Sequence, residues 1–534
     1  MASYLKESLR QALKDVQKRE GQRPPRRRQG GGPPSLPPEE PAPSLRPPPR
    51  PVAPTPQPKA PRPAGISLNQ SLDQSLDEPP PSRPSASAQV SVDAPSAGAI
   101  TRMAMAFDRP VITAPPPTRF RPLEPRSLDE AGLEEGYVEG LVLKFLVGSP
   151  TSTTRQIGNE LALHHRIVGD ILDELKKRKQ VEIKRSTATG DFQWELTSRG
   201  RQTVAELNTH SRYVGPAPVP LDQYLLSVRE QSIANESPRM GDLQRAFQDL
   251  LVPEELLQQL GPAMTSGKGL FLFGFPGNGK TSLAERMTRA FGTSVYLPHA
   301  VLIHGTLVKL FDPMVHEPLD EDATLSSRER LDRRWVKCRR PTVVAGGELT
   351  MPSLEIEFDE RTGICEAPLQ LKANCGTLVI DDFGRQRMEP AVLLNRWIVP
   401  LEQRIDYLSL PDGRKVRVPF DPLLVFSTNL DPKDLCDEAF LRRIPYKICV
   451  EDPSEQNFRT LLHIQSELMG FEPDDAIFDD LIERHYSKVE RPFRNCHPRD
   501  LVLQIQNQCV FREKPLVLTR EAFDEAVDLY FTLL

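Results

Sequence analysis

Three short apolar runs stand out in the second half of the chain, and each is followed by polar residues that can carry chemistry. They span 269–273, 377–380 and 423–428. Runs of this length between polar residues are typical of strands buried inside a sheet. The segment after the first run, 282–287, has the spacing of the first turns of a helix. The pattern predicts a strand–loop–helix unit and two further buried strands.

Between residues 128 and 209 the pattern is that of helices followed by two alternating runs. The predicted helices cover about 134–146, 154–161, 165–177 and a segment from Ser198, and the predicted strands cover 181–184 and 192–196. A polar turn at 188–191 separates the two strands, which predicts a β-hairpin. Further helical periodicity is present near 241–260, 457–468, 476–486, 498–510 and 520–533.

The changes of pattern divide the chain into six predicted segments. They are a short amphipathic helix (1–20), a disordered Pro-rich tether (21–127), a helical and hairpin domain (128–209), an extended linker (210–240), an α/β core (241–450) and a helical C-terminal region (451–534). Most of the 54 prolines precede residue 126, where few apolar residues offset the chain entropy. The first 20 residues are either a docking peptide or a frayed terminus, and both readings stay open.

The composition indicates the cellular compartment but does not identify a binding partner. The net charge of −5 weighs against a chain whose main role is to coat nucleic acid. The seven cysteines form no C-x-x-C pair, so we expect free thiols in a reducing cytoplasm and no zinc site. We expect no signal peptide and no transmembrane segment, because no apolar run approaches the required length of about 18 residues. The adjacent His164 and His165 have poor helix geometry for chelation.

The loop between the first apolar run and its helix matches G-x-x-x-x-G-K-[ST], the phosphate-binding P-loop. Glycines allow backbone N–H groups to approach phosphate oxygens, and the helix N-terminus adds its positive dipole end. Lys280 can neutralise the β- and γ-phosphates, and the Thr281 hydroxyl can ligate Mg²⁺. We therefore expect ATP and Mg²⁺ as cofactors. The candidate nucleotide-binding residues are Gly274, Pro276, Gly277, Asn278, Gly279, Lys280, Thr281 and Ser282.

The ends of the other two apolar runs supply the remaining half of such a site. Asp381 follows the second run and is expected to hold the Mg²⁺ water shell. Asp382 occupies the position of a general base or water-orienting residue, and Asn429 follows the third run. This interpretation requires Thr281 and Asp381 to lie close enough to share one ion.

From about residue 241 to residue 534 the chain resembles the AAA+ ATPases. The P-loop, the Walker B Asp381, a sensor 1 Asn429 and a later arginine pair occur in the order of that superfamily. The resemblance implies a homo-oligomeric ring, usually a hexamer, in which Arg442 or Arg443 acts as an arginine finger on the nucleotide of a neighbouring subunit. Arg443 is favoured because it directly precedes the apolar Ile444. Arg499, in Pro-Arg-Asp-Leu, resembles the sensor 2 arginine of a helical lid.

Two departures from the AAA+ pattern stand out. Asp382 replaces the glutamate of many members, as in replication initiators and helicase loaders, so hydrolysis is expected to be slow. The interval from Lys280 to Asp381 is long and contains strand-like pieces at 341–345 and 354–358. A hairpin signal around Pro411-Asp412-Gly413 resembles the insertion before sensor 1 in MoxR proteins and enhancer-dependent transcription activators. In those proteins such insertions often face the ring pore and touch substrate. In this chain structural decoration is an equal alternative, and both stay open.

Residues 128–209 resemble the winged-helix domain, a relative of helix-turn-helix. Its candidate DNA contacts are His165, Arg166, the basic run 176–179, Lys184 and Arg185. However, residues 129–209 contain 13 acidic and 11 basic side chains, which is not a basic footprint. Protein–protein docking is therefore preferred over DNA contact, and both stay open.

Together these patterns predict an α/β fold with a three-layer P-loop parallel sheet and a C-terminal helical lid, preceded by a winged-helix domain. The functional hypothesis is an ATPase that remodels an unidentified protein client or a protein–nucleic acid complex. The alternatives are a DNA-binding loader or regulator and an ATP-gated scaffold with little turnover.

Overall fold

The computed structural model describes residues 120–188, 190–292, 294–320 and 330–532. The predicted helix at 1–20 and the tether up to residue 119 lie outside these ranges. Residues 120–127, which we assigned to the tether, are instead attached to the fold. Leu123 bridges Leu331, and Phe120 packs on Trp335 with ring centroids 5.1 Å apart. The boundary at residue 127 is therefore wrong, because these residues form backbone hydrogen bonds.

A five-stranded parallel sheet forms the centre of the α/β core. In spatial order its strands are β10 (Thr342–Ala345), β13 (Thr377–Ile380), β16 (Leu423–Thr428), β5 (Leu270–Phe273) and β17 (Tyr446–Cys449). All three predicted apolar runs are members of this sheet. The 341–345 piece, which we expected in the long interval as an extra element, is its edge strand β10. Strand β17 was not predicted.

The sheet is buried on both faces, as successive residues of its strands show. Leu272, Val379 and Val425 contribute to one apolar cluster, whereas Phe271, Leu378 and Phe426 contribute to the other. Alternate side chains of a strand point to opposite faces, so each cluster covers one face. The helices of this region are α7 (Met240–Ala246), α8 (Glu254–Ser266), α9 (Lys280–Met287), α10 (Leu369–Lys372), α11 (Pro390–Arg396), α12 (Ile398–Gln403), α13 (Pro432–Leu435) and α14 (Glu438–Leu441). The sheet, with apolar clusters and helices on its two faces, gives the predicted three-layer arrangement.

A β-rich region is added to this core, and most of its strands lie in the chain between α9 and β13. A second five-stranded sheet has the order β11 (Glu357–Asp359), β12 (Ile364–Glu366), β8 (Thr306–Lys309), β7 (Ala300–Ile303) and β4 (Val219–Pro220). Two antiparallel pairs are β6 (Ser294–Pro298) with β9 (Trp335–Arg339), and the predicted hairpin β14 (Ile405–Ser409) with β15 (Lys415–Pro419). The predicted strand at 354–358 begins only at Glu357, because Pro352–Leu354 form a 3₁₀ turn.

Residues 128–209 contain the predicted elements in the predicted order. The helices are α1 (Leu128–Ala131), α2 (Glu135–Gly148), α3 (Thr154–Glu160), α4 (His165–Lys177) and α5 (Ser198–Leu207), and β1 (Ser152–Thr153), β3 (Phe192–Leu196) and β2 (Val181–Ser186) form an antiparallel sheet in that order. Thr153 and Gln156 form a capping box that starts α3.

The segment 210–240, predicted as an extended linker, contains helix α6 (Leu221–Gln231) and a 3₁₀ turn at Ile233–Asn235. That part of the prediction is wrong because Tyr224 and Val228 of α6 are buried in the core of the β-rich region. The joint with residues 128–209 is fixed by Arg334, which is 1% exposed. Its guanidinium pairs with Asp332 and donates to the Ala131 carbonyl at 2.8 Å.

The C-terminal region is a four-helix unit with its own apolar core. Its helices are α15 (Glu455–Leu468), α16 (Asp475–Ile482), α17 (His497–Phe511) and α18 (Arg520–Phe531), and a π turn at Glu483–Ser487 follows α16. Ser454, Asp474 and Thr519 cap three of the helices with side-chain acceptors. In the part of the chain that the structure describes, no helix is long and apolar enough to cross a membrane.

Candidate functional site

The predicted P-loop joins β5 to α9 at the carboxyl edge of the parallel sheet. Gly274, Gly277 and Gly279 have φ values of 139°, 86° and 80°, which side chains other than glycine rarely adopt. A Cβ on Gly274 would lie 2.4 Å from the Val450 carbonyl oxygen. The loop therefore needs glycine both for its backbone angles and for its close approach to the end of β17. Helix α9 begins at Lys280, so its N-terminus points into the loop.

The Lys280 ammonium lies at the centre of the loop and is 6% exposed. It donates to the carbonyl oxygens of Gly274 at 3.0 Å and Phe275 at 2.9 Å. It also donates to the Asn429 side-chain oxygen at 2.6 Å. Burial lowers the pKa of Lys280, and the nearby carboxylates of Asp381 and Asp382 oppose that shift. The structure therefore brings the P-loop lysine and the predicted sensor asparagine together.

The pair expected to share a metal ion is also in contact. The Thr281 hydroxyl donates to the two carboxylate oxygens of Asp381 at 3.0 and 2.9 Å. The described residues contain no group of three or more acidic, histidine or cysteine side chains that could hold a metal ion by themselves. Such a cluster is not needed here, because Mg²⁺ binds one or two protein oxygens together with phosphate oxygens and water. The donor set of Thr281 and Asp381 therefore fits magnesium bound with a nucleotide.

Asp382 lies beside this pair and is exposed. Its φ of 48° is an uncommon backbone conformation for a non-glycine residue, and such strain is concentrated at functional sites. The Asn429 amide nitrogen donates to an Asp382 carboxylate oxygen at 3.3 Å. Lys280, Asn429 and Asp382 thus form one connected polar row across the ends of β5, β16 and β13.

The start of α17 holds the P-loop from the other side, a contact that we did not predict. The Cys496 N–H donates to the Gly277 carbonyl at 2.9 Å, and the Asn495 amide donates to the Asn278 carbonyl at 3.2 Å. Asn278 in turn donates to Asp452 at 2.7 Å. We call these bonds the loop clasp. The P-loop is therefore directly attached to the C-terminal helical region.

Arg494 adds a charged contact to the loop clasp. Its guanidinium lies over the Phe275 ring, 4.4 Å from the centroid, and pairs with Asp452. Arg494 lies three residues before α17, and no local pattern in the sequence marks it as a loop contact. Arg499, our sensor 2 candidate, is exposed and pairs with Asp500 at 2.8 Å. The structure thus gives the loop contact to Arg494, while the role of Arg499 stays a prediction.

The two finger candidates differ in their surroundings. Arg443, which we favoured, pairs with Glu402 at 2.7 Å and donates to the Ala439 carbonyl at 3.1 Å. Arg442 is exposed, and in the described part of the chain its side chain makes no hydrogen bond or ion pair. Of the remaining P-loop candidates, Pro276 is exposed and Ser282 is partly buried in the first turn of α9.

Three of the eight side chains that we proposed as DNA contacts form ion pairs with neighbouring carboxylates. Ion pairs join Lys184 to Glu195 at 2.8 Å, Arg178 to Glu139 at 2.8 Å and Lys177 to Glu174 at 3.2 Å. A cleft of about 250 Å³ at the start of α4 has a more basic lining, which includes Arg155, His165, Arg330, Arg333 and one carboxylate, Glu124. These ion pairs reduce the net positive charge of the candidate DNA contacts, and the cleft at the start of α4 stays basic.

Comparison with known proteins gives a family match near the C-terminus and several distant likenesses in structure. Residues 454–529 match a family described only as a domain of unknown function, DUF8689. No curated protein matches the chain. A Thermotoga maritima RuvB Holliday junction branch migration motor is 12% identical, with a TM-score of 0.31, and the match covers 54% of this chain and 73% of that one. NtrX from Brucella abortus in complex with ATP is 12% identical, with a TM-score of 0.34, and the match covers 68% and 75%. The site assignment therefore rests on the geometry described above.

Proposed function

We propose that this chain binds ATP with Mg²⁺ and hydrolyses it, in the manner of an AAA+ ATPase. The observation that carries the proposal is the Thr281–Asp381 contact at 2.9 Å beside the buried Lys280 ammonium. Bound Mg·ATP would supply the phosphoanhydride bond and the charge neutralisation that phosphoryl transfer requires. The loop N–H groups and Lys280 would bind the phosphates, and Thr281 and Asp381 would orient the metal.

We propose that Asp382 and Asn429 act in the hydrolysis step. A carboxylate at the end of β13 can accept a proton from water, provided that it reaches the attacking oxygen. The Asn429 amide already contacts Asp382 at 3.3 Å, so it can orient both that carboxylate and the water. The aspartate side chain is one methylene shorter than glutamate, so we expect turnover to be slow. The ATP-gated scaffold is the limiting case of this expectation.

A neighbouring subunit would complete the site if the chain forms a ring. We assign the arginine finger to Arg442, because Arg443 is engaged with Glu402 within its own chain. A guanidinium delivered to the γ-phosphate is worth about 10³–10⁵ in rate in related phosphoryl transfers. A homo-hexamer is the assembly expected from the AAA+ resemblance, and its work would be the remodelling of a protein client.

Residues 128–209 are proposed to recruit that client as a winged-helix-like domain. Three of their basic side chains are neutralised by acidic partners, which favours a protein client. The basic cleft beside His165 favours the alternative of a DNA-directed loader or regulator. The two are separated by titrating duplex DNA against the full chain at several salt concentrations. A steep salt dependence that is lost on replacing Lys176 and Lys179 with Ala would favour DNA.

Nucleotide binding is tested with a fluorescent ATP analogue and the Lys280→Ala variant. Loss of a charge-assisted contact to phosphate is worth about 1.5–3 kcal/mol, so we expect affinity to fall at least about tenfold. Lys268→Ala, an exposed lysine before β5, is the matched control and should bind as the parent does. Undiminished binding by Lys280→Ala would refute the site.

Hydrolysis is tested separately by phosphate release from the parent chain and from Asp382→Asn. The variant should bind ATP and release little phosphate. A parent chain that binds ATP without measurable release would support the scaffold alternative. Because the variant is expected to hold ATP, it is also suited to trapping the client in a pull-down.

A further inference from the structure

A cavity of about 400 Å³ lies between helix α2 and three turns of the β-rich region. One wall is formed by α2 with Leu207 and His210. The other contains Gly305–Leu307, Phe358 with Gly363, and the 411–412 tip of the β14–β15 hairpin. None of these residues belongs to the P-loop or to its acidic partners. The volume lies within the range of about 300–1,000 Å³ that is typical of small-molecule sites.

The face of α2 that lines the cavity has glycine, which lacks a side chain, at two positions. Gly136, Gly140 and Lys144 follow at intervals of four residues, so they lie on one face of the helix. Glycine is a poor residue for a helix interior. A Cβ on Gly136 would meet nothing within 4 Å, and one on Gly140 would touch only Leu207 at 3.5 Å or more. The structure thus has room for larger side chains at both positions. Because the residues are glycines, that room remains part of the cavity.

Lys144 supplies the charge at the end of this face. It is partly buried, and burial lowers the pKa of its ammonium. In the described part of the chain it makes no hydrogen bond or ion pair. The carboxylate of Asp412, on the opposite wall, accepts from the Arg414 guanidinium at 2.7 Å and so has its own cation. An ammonium that is partly desolvated without an anion is stabilised by any carboxylate that enters beside it.

The rest of the lining is mostly apolar. Leu141, Leu307 and Cys365 are buried, and the Phe358 ring is 44% exposed at the rim. Tyr213 also lines the cavity, and its hydroxyl already donates a hydrogen bond to the Pro216 carbonyl at 2.7 Å. The cavity therefore offers the Lys144 ammonium and a lining that is mainly apolar.

We propose that this cavity binds a small amphiphilic anion, with an apolar body against Leu141, Leu307 and Phe358 and a carboxylate on the Lys144 ammonium. The ligand would contact residues 128–209 and the β-rich region at once, so it would brace the joint between them. The site is separate from the P-loop and does not depend on nucleotide binding.

The test uses 3-phenylpropionate as the probe and its neutral amide, 3-phenylpropanamide, as the matched control ligand. Binding of both to the full chain is measured by saturation-transfer NMR titration. We expect the carboxylate to bind at least about tenfold more tightly than the amide, because a charge-assisted hydrogen bond is about twice as strong as a neutral one. Equal affinities, or no binding of the carboxylate, would overturn the proposal.

Variants then locate the site. Lys144→Met keeps the stem and removes the charge, so it should bind carboxylate and amide equally. Gly136→Leu should abolish binding of both by filling the cavity. Gly148→Leu is its matched control on the same helix, since a Cβ there also meets nothing within 4 Å and lies outside the cavity. Unchanged carboxylate binding by Lys144→Met, or by Gly136→Leu, would place the probe elsewhere and overturn the assignment.

Discussion

The contact between Gly277 and Cys496 gives a prediction whose size follows from the structure. A Cβ on Gly277 would lie 2.5 Å from the Cys496 sulfur, while the next atoms are at 3.6 and 3.7 Å. Gly277→Ala therefore has two costs. Its φ of 86° strains a non-glycine residue by about 1–2 kcal/mol. The overlap with the sulfur adds about 1–3 kcal/mol, the usual cost of overpacking.

Only the second cost depends on the loop clasp. The backbone strain stays whether or not the start of α17 is docked, whereas undocking relieves the overlap. Local opening of the clasp should therefore become about 5- to 150-fold more frequent in Gly277→Ala, since each 1.4 kcal/mol is a factor of ten. In the Cys496→Ala background the sulfur is absent, and the same glycine substitution should change opening less than about twofold.

Native-state hydrogen exchange of the Cys496 amide, which donates to the Gly277 carbonyl at 2.9 Å, reports this opening directly. The expected result is faster exchange in Gly277→Ala that is reversed in the double variant. If exchange at this amide is unchanged in Gly277→Ala, or rises equally in both backgrounds, then the sulfur does not limit the fit and the argument from packing fails.

Three further predictions concern charged groups. Arg442→Ala should lower ATP turnover at least about a hundredfold in a phosphate-release assay, with nucleotide affinity unchanged. Arg443→Ala should mainly lower the melting temperature. The reverse pattern would identify Arg443 as the arginine finger. Burial lowers the pKa of His497 to about 4, so the contribution of this residue to stability should be constant above pH 6.5 and should fall by about 3 kcal/mol in total as pH drops from 6.5 to 4. Urea titrations of His497→Gln should lack that part of the slope. Arg334→Met leaves Asp332 buried without its cation and should cost about 3–5 kcal/mol, seen as a lower urea midpoint; a loss below about 1 kcal/mol would contradict it.

The sequence predicted which side chains meet at the candidate site better than it predicted the elements around them. A P-loop strand, a strand ending in Asp381 and a strand ending in Asn429 have continuous apolar runs, because strands buried on both faces must be apolar throughout. Their carboxyl ends meet at one edge of a parallel sheet. The contacts of Lys280 with Asn429 and of Thr281 with Asp381 follow from that rule.

The missed elements depend on contacts between distant parts of the chain. Helix α6 follows Val-Pro in a proline-rich stretch that reads as a linker, yet it is held by burial of Tyr224 and Val228 in another region. Strand β17 was missed because Tyr446–Cys449 alternates polar and apolar residues at the sheet edge. Arg494 gave no local signal, since its role arises only when the start of α17 reaches the P-loop.

The anchoring of Phe120 has a mechanical consequence. Its ring packs on Trp335 and Tyr296, which belong to the paired strands β9 and β6. A pulling force applied through the preceding residues would load this two-stranded ribbon before it reached α1. A load attached before residue 120 would therefore act first on the β-rich region, and helices α1 to α5 would bear little of the force.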